Sequence, residues 1–456
     1  ALQRTGRMAA PPARRCARCS GESDRALRCA QCRSVSYCDR NCQKQHWSSH
    51  KAESKVLALA LLAAPAVAAP PRFVEAATVQ TQGAAGWAHF VIGGKDFLAV
   101  ANFFTSGPGR QPSMETESVV YSAAAKGGGA KLRLAEVQRF RTVGAHGVVH
   151  LECGAQHYLA VPNYYGGDTV VLRWSAAAAR FSELQRIKTD GAGSVEAFAI
   201  GDQHMLGIAE FNVGVVALYA LSGAHPNERF LPWQRVAASG CGAIAMLAVP
   251  ADDGRDVLLM LAASYVTQQT GWRTRSPVFA LNAAGTAFEK HSEVPTVGAH
   301  DVATLSARGR HFAFFSNDKD ERSTRQDSEL FEWVGTFPNG RLVSRQKVAT
   351  DGAHAAEFFA SADGEEHFLA VANLGDRQAD TYRRDSVVYA LDATAGGTGS
   401  KPLVPLQRLP TLGATDFLCF SVGGAKFLAV SNEQDDVWGG DVSSTIWRLA
   451  AKPPGP

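Results

Sequence analysis

Short apolar stretches recur along residues 72–450, and polar or turn-forming residues separate them. The clearest copies are FLAVAN at Phe97–Asn102 and Phe368–Asn373, YLAVPN at Tyr158–Asn163 and FLAVSN at Phe427–Asn432. A run of four to eight apolar residues bounded by turn residues is typical of a buried strand. The pattern therefore predicts a chain built mainly of short β-strands, with these stripes in the core.

The apolar stretches belong to a longer repeated unit that begins with a Gly-Ala turn. Phe or Leu stands seven residues after each turn glycine, a third strand ends in Tyr or Trp, and a fourth carries Gln, as at Gln138 and Gln185. The turn glycines are Gly83, Gly144, Gly191, Gly240 (followed by Cys in place of Ala), Gly298, Gly352 and Gly413, with spacings of 61, 47, 49, 58, 54 and 61 residues.

Four β-rich segments in a unit of about 50 residues are the pattern of a β-propeller blade. The last unit ends at Leu449 without a fourth strand, and an orphan segment, Phe73–Gln80, precedes the first turn. That segment can supply the missing outer strand and close the ring. We therefore predict a mostly β fold with a seven-bladed propeller over residues 72–450; a β-solenoid or two stacked sandwiches are the competing folds.

These units resemble the EPTP (epitempin/EAR) repeat in their Gly-Ala turn, their FLAVAN-type strand and their Tyr- or Trp-ended third strand. The resemblance implies a seven-bladed propeller that serves as an interaction module rather than as an enzyme. The better-known members of that family are extracellular. The cysteines of this chain point to a different compartment.

Charge and cysteine are concentrated at the start of the chain. Residues 1–55 hold 12 Lys/Arg and 4 Asp/Glu, whereas the remaining residues hold 34 and 39. Six of the nine cysteines lie between Cys16 and Cys42. The other three, Cys153, Cys241 and Cys419, are scattered singly and do not make a disulfide framework.

The cysteine cluster has the spacing of a zinc site. It reads Cys16-x-x-Cys19, Cys29-x-x-Cys32 and Cys38-x-x-x-Cys42, followed by His46 and His50. Each C-x-x-C knuckle points two thiolates at one ion, and tetrahedral Zn²⁺ takes its remaining ligands from further along the chain. A segment this short and polar cannot build a core, so metal binding would supply its folding energy.

The stretch YCDRNCQKQHWSSHK, Tyr37–Lys51, resembles the MYND zinc finger, and the resemblance extends over roughly residues 16–54. It implies two interleaved zinc ions and a short helix. Ser54 stands where the family has its last cysteine. The second ion therefore either keeps an open position or recruits His46, which lies four residues before His50. The implied ligands are Cys16, Cys19, Cys38 and Cys42 for the first ion, and Cys29, Cys32 and His50 for the second.

These features divide the chain into a disordered basic tail (1–15), the finger (16–54), an Ala/Pro linker (55–71), the propeller (72–450) and a C-terminal tail (451–456). The longest apolar run, Val56–Ala69, has 14 residues and contains Pro65. It is shorter than the roughly 20 residues that span a bilayer, so we expect no membrane segment. Thiolate ligands favour an intracellular location, in cytoplasm or nucleus.

The function that this organisation predicts is a protein-interaction adaptor and not an enzyme. MYND fingers bind short proline-containing peptides, so the resemblance implies such a partner for the finger, and a propeller face would bind a second protein. A nucleic-acid-associated regulator is an alternative that dispersed arginines without interleaved aromatics disfavour. An enzyme using the propeller channel is the other; its candidate residues are His146, His300, His354, Asp301 and Asp416.

Unequal loops indicate where the propeller would bind. The loops between strands two and three are short in units two and three and long in the other five, which adjoin around a closed ring. We predict a continuous crescent of long loops on the face marked by the Gly-Ala turns, with Trp272, Tyr382, Arg383, Arg384 and Trp438 as anchors. The long loops are Phe103–Glu117, Ser264–Arg275, Asp318–Asp327, Leu374–Asp385 and Glu433–Asp441.

Overall fold

Two compact units make up the chain, residues 1–70 with 452–456 and Pro71–Ala451. The computed structural model describes residues 14–15, 22–23, 27–28, 36–37, 73–106, 111–376, 381–395, 400–436 and 439–450.

The described part of the first unit consists of two short antiparallel hairpins. Strand β1 (Arg14–Arg15) pairs with β2 (Glu22–Ser23), and β3 (Leu27–Arg28) pairs with β4 (Ser36–Tyr37). The first hairpin brackets one C-x-x-C pair in the sequence and the second brackets the other. The predicted helix and all eight predicted zinc ligands lie outside the described residues.

The second unit is a ring of seven four-stranded antiparallel sheets, which confirms the predicted seven-bladed propeller. Blade 1 contains β6 (Ala84–Ile92), β7 (Lys95–Asn102), β8 (Glu115–Lys126) and β9 (Lys131–Val143). Blade 2 contains β10 (Val149–Cys153), β11 (Gln156–Asn163), β12 (Asp168–Ser175) and β13 (Arg180–Lys188). Blade 3 contains β14 (Ala192–Ile200), β15 (Gln203–Glu210), β16 (Val215–Ser222) and β17 (Arg229–Ala237).

The remaining blades follow in chain order around the ring. Blade 4 contains β18 (Cys241–Pro250), β19 (Asp256–Ser264), β20 (Arg273–Leu281) and β21 (Phe288–Val297). Blade 5 contains β22 (Ala299–Ala307), β23 (Arg310–Asn317), β24 (Asp327–Val334) and β25 (Arg341–Ala349). Blade 6 contains β26 (Ala353–Ala360), β27 (His367–Asn373), β28 (Arg383–Leu391) and β29 (Leu403–Leu412). Blade 7 contains β30 (Ala414–Val422), β31 (Ala425–Asn432), β32 (Ser443–Leu449) and β5 (Phe73–Gln80).

Ring closure joins the two ends of the propeller, as the ragged ends of the repeat predict. Strand β5 pairs antiparallel with β32, and the register runs from Gln80 opposite Ser443 to Phe73 opposite Leu449. Without β5, the third strand of blade 7 would be an exposed edge. The segment before the first repeat is therefore the outer strand of the last blade.

The hydrophobic core lies between blades rather than within them. The described residues form seven main apolar clusters, one at each junction of neighbouring blades. At the junction of blades 6 and 7, for example, Phe368 packs in one cluster with Phe417 and Trp447. The predicted stripes are buried, with Leu98 and Leu428 fully excluded from water. Because each sheet buries its faces only against its neighbours, the ring has to close to be stable.

The repeated glutamine ties the outer strand of five blades to the next blade. Its amide nitrogen donates to a backbone carbonyl, and its amide oxygen accepts from the N–H of the same residue, at the start of the neighbouring outer strand. In blades 4 and 7 the equivalent position of the outer strand holds Ser292 and Ala77 instead of glutamine. Gln138 pairs in this way with Phe181, Gln185 with Phe230, Gln234 with Phe288, Gln346 with Leu403 and Gln407 with Phe73, all at 2.8–2.9 Å.

The asparagine that ends the FLAVAN-type strands joins three chain segments. Asn317 accepts a hydrogen bond from the N–H of Val297, just before the turn that opens its own blade, at 3.2 Å. Its amide donates to the carbonyl of Asp327 in the third strand at 2.7 Å. Asn373 and Asn432 make the same pair of bonds in blades 6 and 7. These bonds fix where each blade meets the loops of one face.

Candidate functional site

The Gly-Ala turns deliver one residue of every blade to the central channel. All seven turn glycines have φ between 55° and 68°, a conformation that side chains disfavour. A Cβ on Gly298 would also lie 2.1 Å from the carbonyl oxygen of Lys319. In six blades a β-bulge follows, which leaves the second residue after the glycine outside the strand pairing. Bulges re-aim side chains, and all seven residues at this position line the channel.

Three of these seven channel positions hold histidine, as the sequence indicates. His146, His300 and His354 come from blades 2, 5 and 6, and the other four positions hold Ala85, Gly193, Gly242 and Thr415. The ring centroids of His300 and His354 are 3.6 Å apart, and His146 lies 5.7 and 5.9 Å from them. The fold thus brings together three histidines that lie up to 208 residues apart in the sequence.

Each of these histidines is oriented by a carbonyl of the next blade around the ring. The Nδ1 atom of His146 lies 2.7 Å from the carbonyl oxygen of Gly193. The Nδ1 atoms of His300 and His354 lie 3.1 and 2.9 Å from the carbonyl oxygens of His354 and Thr415. A carbonyl only accepts hydrogen bonds, so Nδ1 carries the proton. In the neutral ring the lone pair is then on Nε2.

An aromatic cavity of about 160 Å³ lies on the outer side of the three histidines and forms the mouth of the channel. Phe103, Tyr164, Phe211 and Tyr265 line it, each directly after the second strand of its blade, and Tyr165 completes the wall. The backbone N–H of each of the first four bonds to the carbonyl of its own turn glycine at 2.7–2.9 Å. The mouth is thus a partly exposed pocket of aromatic rings and a few polar groups on a rigid frame, the usual character of a binding site.

Four carboxyl groups line the channel below the histidines: Glu196, Asp301, Glu357 and Asp416. Burial raises the pKa of Asp301 to about 6, and burial with the nearby Asp301 charge raises the pKa of Glu196 to about 7. The pKa values of Glu357 and Asp416 also lie well above the ordinary range because both groups are buried and face other carboxylates. The protonated, uncharged forms of these carboxyls are therefore favoured in this channel of about 340 Å³, and a bound cation would favour their charged forms.

The described parts of the long loops of five blades are linked to one another around one face of the ring. Loops contact directly between blades 4 and 5, 6 and 7, and 7 and 1, whereas between blades 5 and 6 the link is Asp351, just before the turn glycine of blade 6, which also pairs with Arg384. The contacts are Tyr265 Oη to Asp318 Oδ2 (2.8 Å), Arg273 to Asp320 (3.2 Å), Thr324 Oγ1 to Asp351 Oδ1 (3.0 Å), the N–H of Arg383 to Asp436 Oδ1 (3.0 Å) and Thr105 Oγ1 to Asp441 Oδ1 (2.9 Å).

Two of the five predicted anchor residues of the crescent, Tyr382 and Arg384, need correction. Tyr382 is 6% exposed and faces the protein, because its neighbours hold the loop against Asp436. Arg384 is half-buried and paired with Asp351 at 3.0 Å. Trp272 packs edge-on against Tyr265 and is covered by Lys319, Arg383 is exposed, and Trp438 lies outside the described residues.

Sequence reasoning missed the aromatic mouth and two of the channel carboxylates. Phe103, Tyr164, Phe211 and Tyr265 share one place in the repeat, directly after the second strand. Glu196 and Glu357 also share a place, five residues after the turn glycine, where the other blades have Ala, Val or Leu. An alignment of the seven units with one another would have exposed both sets.

Comparison with known proteins identifies both modules. The family model of the MYND finger matches residues 16–53, and that of the EPTP domain matches residues 72–122 and 403–443. A human thrombospondin-type laminin G domain and EAR repeat-containing protein is 33% identical over 111 residues, which are 23% of this chain and 15% of that protein. The human histone-lysine N-methyltransferase SMYD3 is 45% identical over 42 residues, 9% of this chain and 10% of that protein.

Among solved structures, the periplasmic gluconolactonase PpgL of Pseudomonas aeruginosa aligns with a TM-score of 0.48 and 19% identity. The alignment covers 74% of this chain and 95% of that one.

The chain therefore carries a MYND finger followed by EPTP repeats, while it spans only 15% or less of the curated relatives named above. MYND and propeller domains generally mediate protein interactions. A MYND finger implies zinc, and the finger's thiolates and imidazoles are the ligands that Zn²⁺ prefers. Among the described residues, no helix has the length and apolar character needed to cross a bilayer.

Proposed function

We propose that the protein is a bivalent adaptor in a reducing, intracellular compartment. Its finger would bind a proline-containing peptide of one partner, and the mouth face of its propeller would bind a second protein. Linking two binding modules in one chain raises the effective concentration of one partner near the other without new contacts. The proposal assigns no catalytic step to the chain.

The observation that carries the proposal is the aromatic mouth beside the loop crescent. Tyr165 is 57% exposed and packs against Phe103 and Tyr164, with ring centroids 5.7 and 5.0 Å away. Exposed aromatic side chains held in a fixed frame are typical hot spots of protein interfaces. The long loops add charged groups, such as Asp318 in the lining of this pocket and the exposed Arg383 of blade 6. An apolar centre with a charged rim is the usual arrangement of a protein-binding face.

Affinity purification with mass spectrometry tests the bivalent arrangement. We expect Cys38→Ser to remove one set of partners and Tyr165→Ala to remove a different set, while each variant retains the other set. Val91→Ala is the matched control, since Val91 is 45% exposed at the opposite end of β6. One shared set lost in both variants would contradict a bivalent adaptor.

Crosslinking mass spectrometry on a purified complex then locates the propeller partner. Crosslinks should concentrate on Lys319 and its neighbours on the mouth face. Crosslinks confined to the opposite face, with Tyr165→Ala and Arg383→Ala both silent, would overturn the assignment of this face. Partner binding that weakens steeply with salt, and that nuclease treatment abolishes, would instead favour the nucleic-acid alternative.

The finger is further proposed to hold two zinc ions, the second more weakly because Ser54 replaces a thiolate. A chelator should then release zinc in two steps, and Ser54→Cys should merge the steps by tightening the weaker site. Release of both ions in one tight step from the unmodified chain would show that its ligand set is already complete.

A further inference from the structure

The mouth and the channel meet at the three imidazoles of His146, His300 and His354, which line both cavities. One potential ligand atom of each histidine lies within 4.8 Å of those of the other two. Among the described residues this is the cluster with the character of a metal site. It lies in the propeller, in a unit distinct from the cysteine-rich finger.

The hydrogen bonds of the three rings favour metal coordination. Each Nδ1 is committed to a backbone carbonyl, at 2.7 Å for His146, 3.1 Å for His300 and 2.9 Å for His354. Metal-bound histidines almost always donate their other ring N–H to a carbonyl or carboxylate, which fixes both the tautomer and the ring orientation. The blade-to-blade bonds therefore supply the outer shell that an imidazole ligand requires.

The spacing is close to what an ion would need. An equilateral triangle with 4.8 Å sides, the upper limit of the separation between the candidate nitrogens, has its centre about 2.8 Å from each corner, against 2.0–2.1 Å for a Zn–N bond. Each ring would have to move inward by less than about 1 Å, and rotation about its side-chain bonds provides that movement. The bulges permit it, because His300 and His354 lie outside the strand pairing.

A purely structural role explains the cluster less well. The same channel position is filled by Ala85, Gly193, Gly242 and Thr415 in the other blades, so the fold does not need a large ring there. Three clustered imidazoles are also a costly way to fill space, since each brings a polar nitrogen away from bulk water. Carboxyl groups such as Asp301 and Glu196 line the same channel, and a cation held at the histidines would favour their charged forms.

We propose that the propeller binds one divalent transition-metal ion, of the Zn²⁺ class, through Nε2 of His146, His300 and His354. Three imidazoles suit Zn²⁺, Ni²⁺, Cu²⁺ and Co²⁺ rather than the hard cations Ca²⁺ and Mg²⁺. A tetrahedral ion with three protein ligands keeps one position, which here would open toward one of the two cavities that the histidines separate.

Metal analysis of the full chain tests this site. After saturation with Zn²⁺ and removal of excess metal, the variant His146→Gln/His300→Gln/His354→Gln should contain one equivalent fewer than the unmodified chain. The finger is identical in both proteins, so the difference reports the propeller alone. Thr415→Ala is the matched control because it alters the same bulge position in blade 7 without removing an imidazole, and it should retain the full metal content.

Cobalt titration gives a second readout that distinguishes the two metal centres. Co²⁺ bound by thiolates shows sulfur-to-metal charge-transfer absorption, whereas Co²⁺ on imidazoles shows only d–d bands. The absorption of the unmodified chain should therefore include a component that has d–d bands but no charge-transfer band. His146→Gln should weaken the Co²⁺ affinity of that component by more than about 100-fold, which exceeds the effect of losing an outer-shell partner.

Two results would overturn the proposal. One is an equal metal content in the folded triple variant and the unmodified chain. The other comes from the unmodified chain and applies even if the triple variant does not fold. A Co²⁺ titration in which every bound equivalent shows thiolate charge-transfer absorption would show that the histidines bind no ion.

Discussion

Two positions of the repeated unit serve the propeller in different ways. We call the glutamine position of the outer strands the belt, and the second residue after each turn glycine, which lines the channel, the rim. In the belt, five blades place Gln at one position, and each makes the same pair of hydrogen bonds to the next blade. On the rim, the position after the turn holds His in three blades and Gly, Ala or Thr in the other four. The residue that most blades share maintains the ring, whereas the position that varies between blades is available for chemistry.

The reason for this difference lies in the backbone. Gln185 substitutes for strand pairing between blades, since its amide satisfies both the N–H and the carbonyl of Phe230. A bulge residue such as His300 takes no part in the pairing of β22 with β23, so changing its side chain leaves the sheet intact. Stability is therefore expected to depend on the belt, and binding on the rim.

The largest effect is expected where the belt closes. Deleting residues 73–80 removes β5, exposes the edge of β32 and breaks the bond pair between Gln407 and Phe73. At roughly 1 kcal/mol for each lost backbone hydrogen bond, the loss exceeds about 5 kcal/mol. Calorimetry should show a broad transition well below the unmodified chain, whereas deleting residues 56–63 of the linker should leave it unchanged. Cooperative melting at the original temperature would refute closure by β5.

A pH effect is expected next, from a half-buried histidine between two inner strands. His150 stacks on Phe90 and lies against His157, with His89 and its partner Asp96 nearby. Burial, followed by the charges of His157 and His89, lowers the pKa of His150 to about 4. Above pH 6.5 the ring is neutral in both folded and unfolded chains, so it costs nothing there.

As the pH falls through 6.5 the unfolded chain gains a proton that the folded chain cannot accept, so stability falls until about pH 4. The loss amounts to roughly 3 kcal/mol at most. Urea unfolding between pH 7 and 4 should therefore show a shallower pH dependence for His150→Gln than for the unmodified chain. Parallel curves for the two proteins would contradict this assignment.

A smaller effect is expected from one glutamine of the belt. Gln185→Leu keeps the volume but leaves the N–H and carbonyl of Phe230 without the two bonds that Gln185 supplies. We expect a loss of about 2 kcal/mol in the free energy of unfolding. Gln203→Leu is the control, since its amide makes only exposed hydrogen bonds and should cost less than about 0.5 kcal/mol. Equal losses for both substitutions would show that the hydrogen bonds of the belt glutamine contribute no more to the free energy of unfolding than exposed hydrogen bonds do.

The smallest effect on stability is expected at the rim. His146→Ala removes the hydrogen bond to Gly193 from a position where blade 1 already has Ala85. Without added metal the unfolding free energy should fall by less than about 1 kcal/mol. A larger loss would mean that the rim histidines hold the ring together, and the contrast between rim and belt would fail.

The sequence alone determined the architecture of the propeller, because every blade repeats the same local pattern. Turn glycines, buried stripes and ragged ends together specify seven blades and the closing role of Phe73–Gln80. The cysteine spacing likewise predicts the MYND finger, which the family comparison confirms. These features depend on periodicity and short spacing, which are visible along the chain.

Only the tertiary structure decided which side chains meet. His146 and His354 lie 208 residues apart, and their contact depends on the radius of the closed ring and on the direction of the bulges. The aromatic mouth depends on both as well, because its residues come from four different blades. Periodicity shows which positions are equivalent, but whether they face the channel, a neighbouring blade or water is set by sheet twist and closure. For the same reason Tyr382, although its loop contains many charged residues, is buried by the adjoining loop.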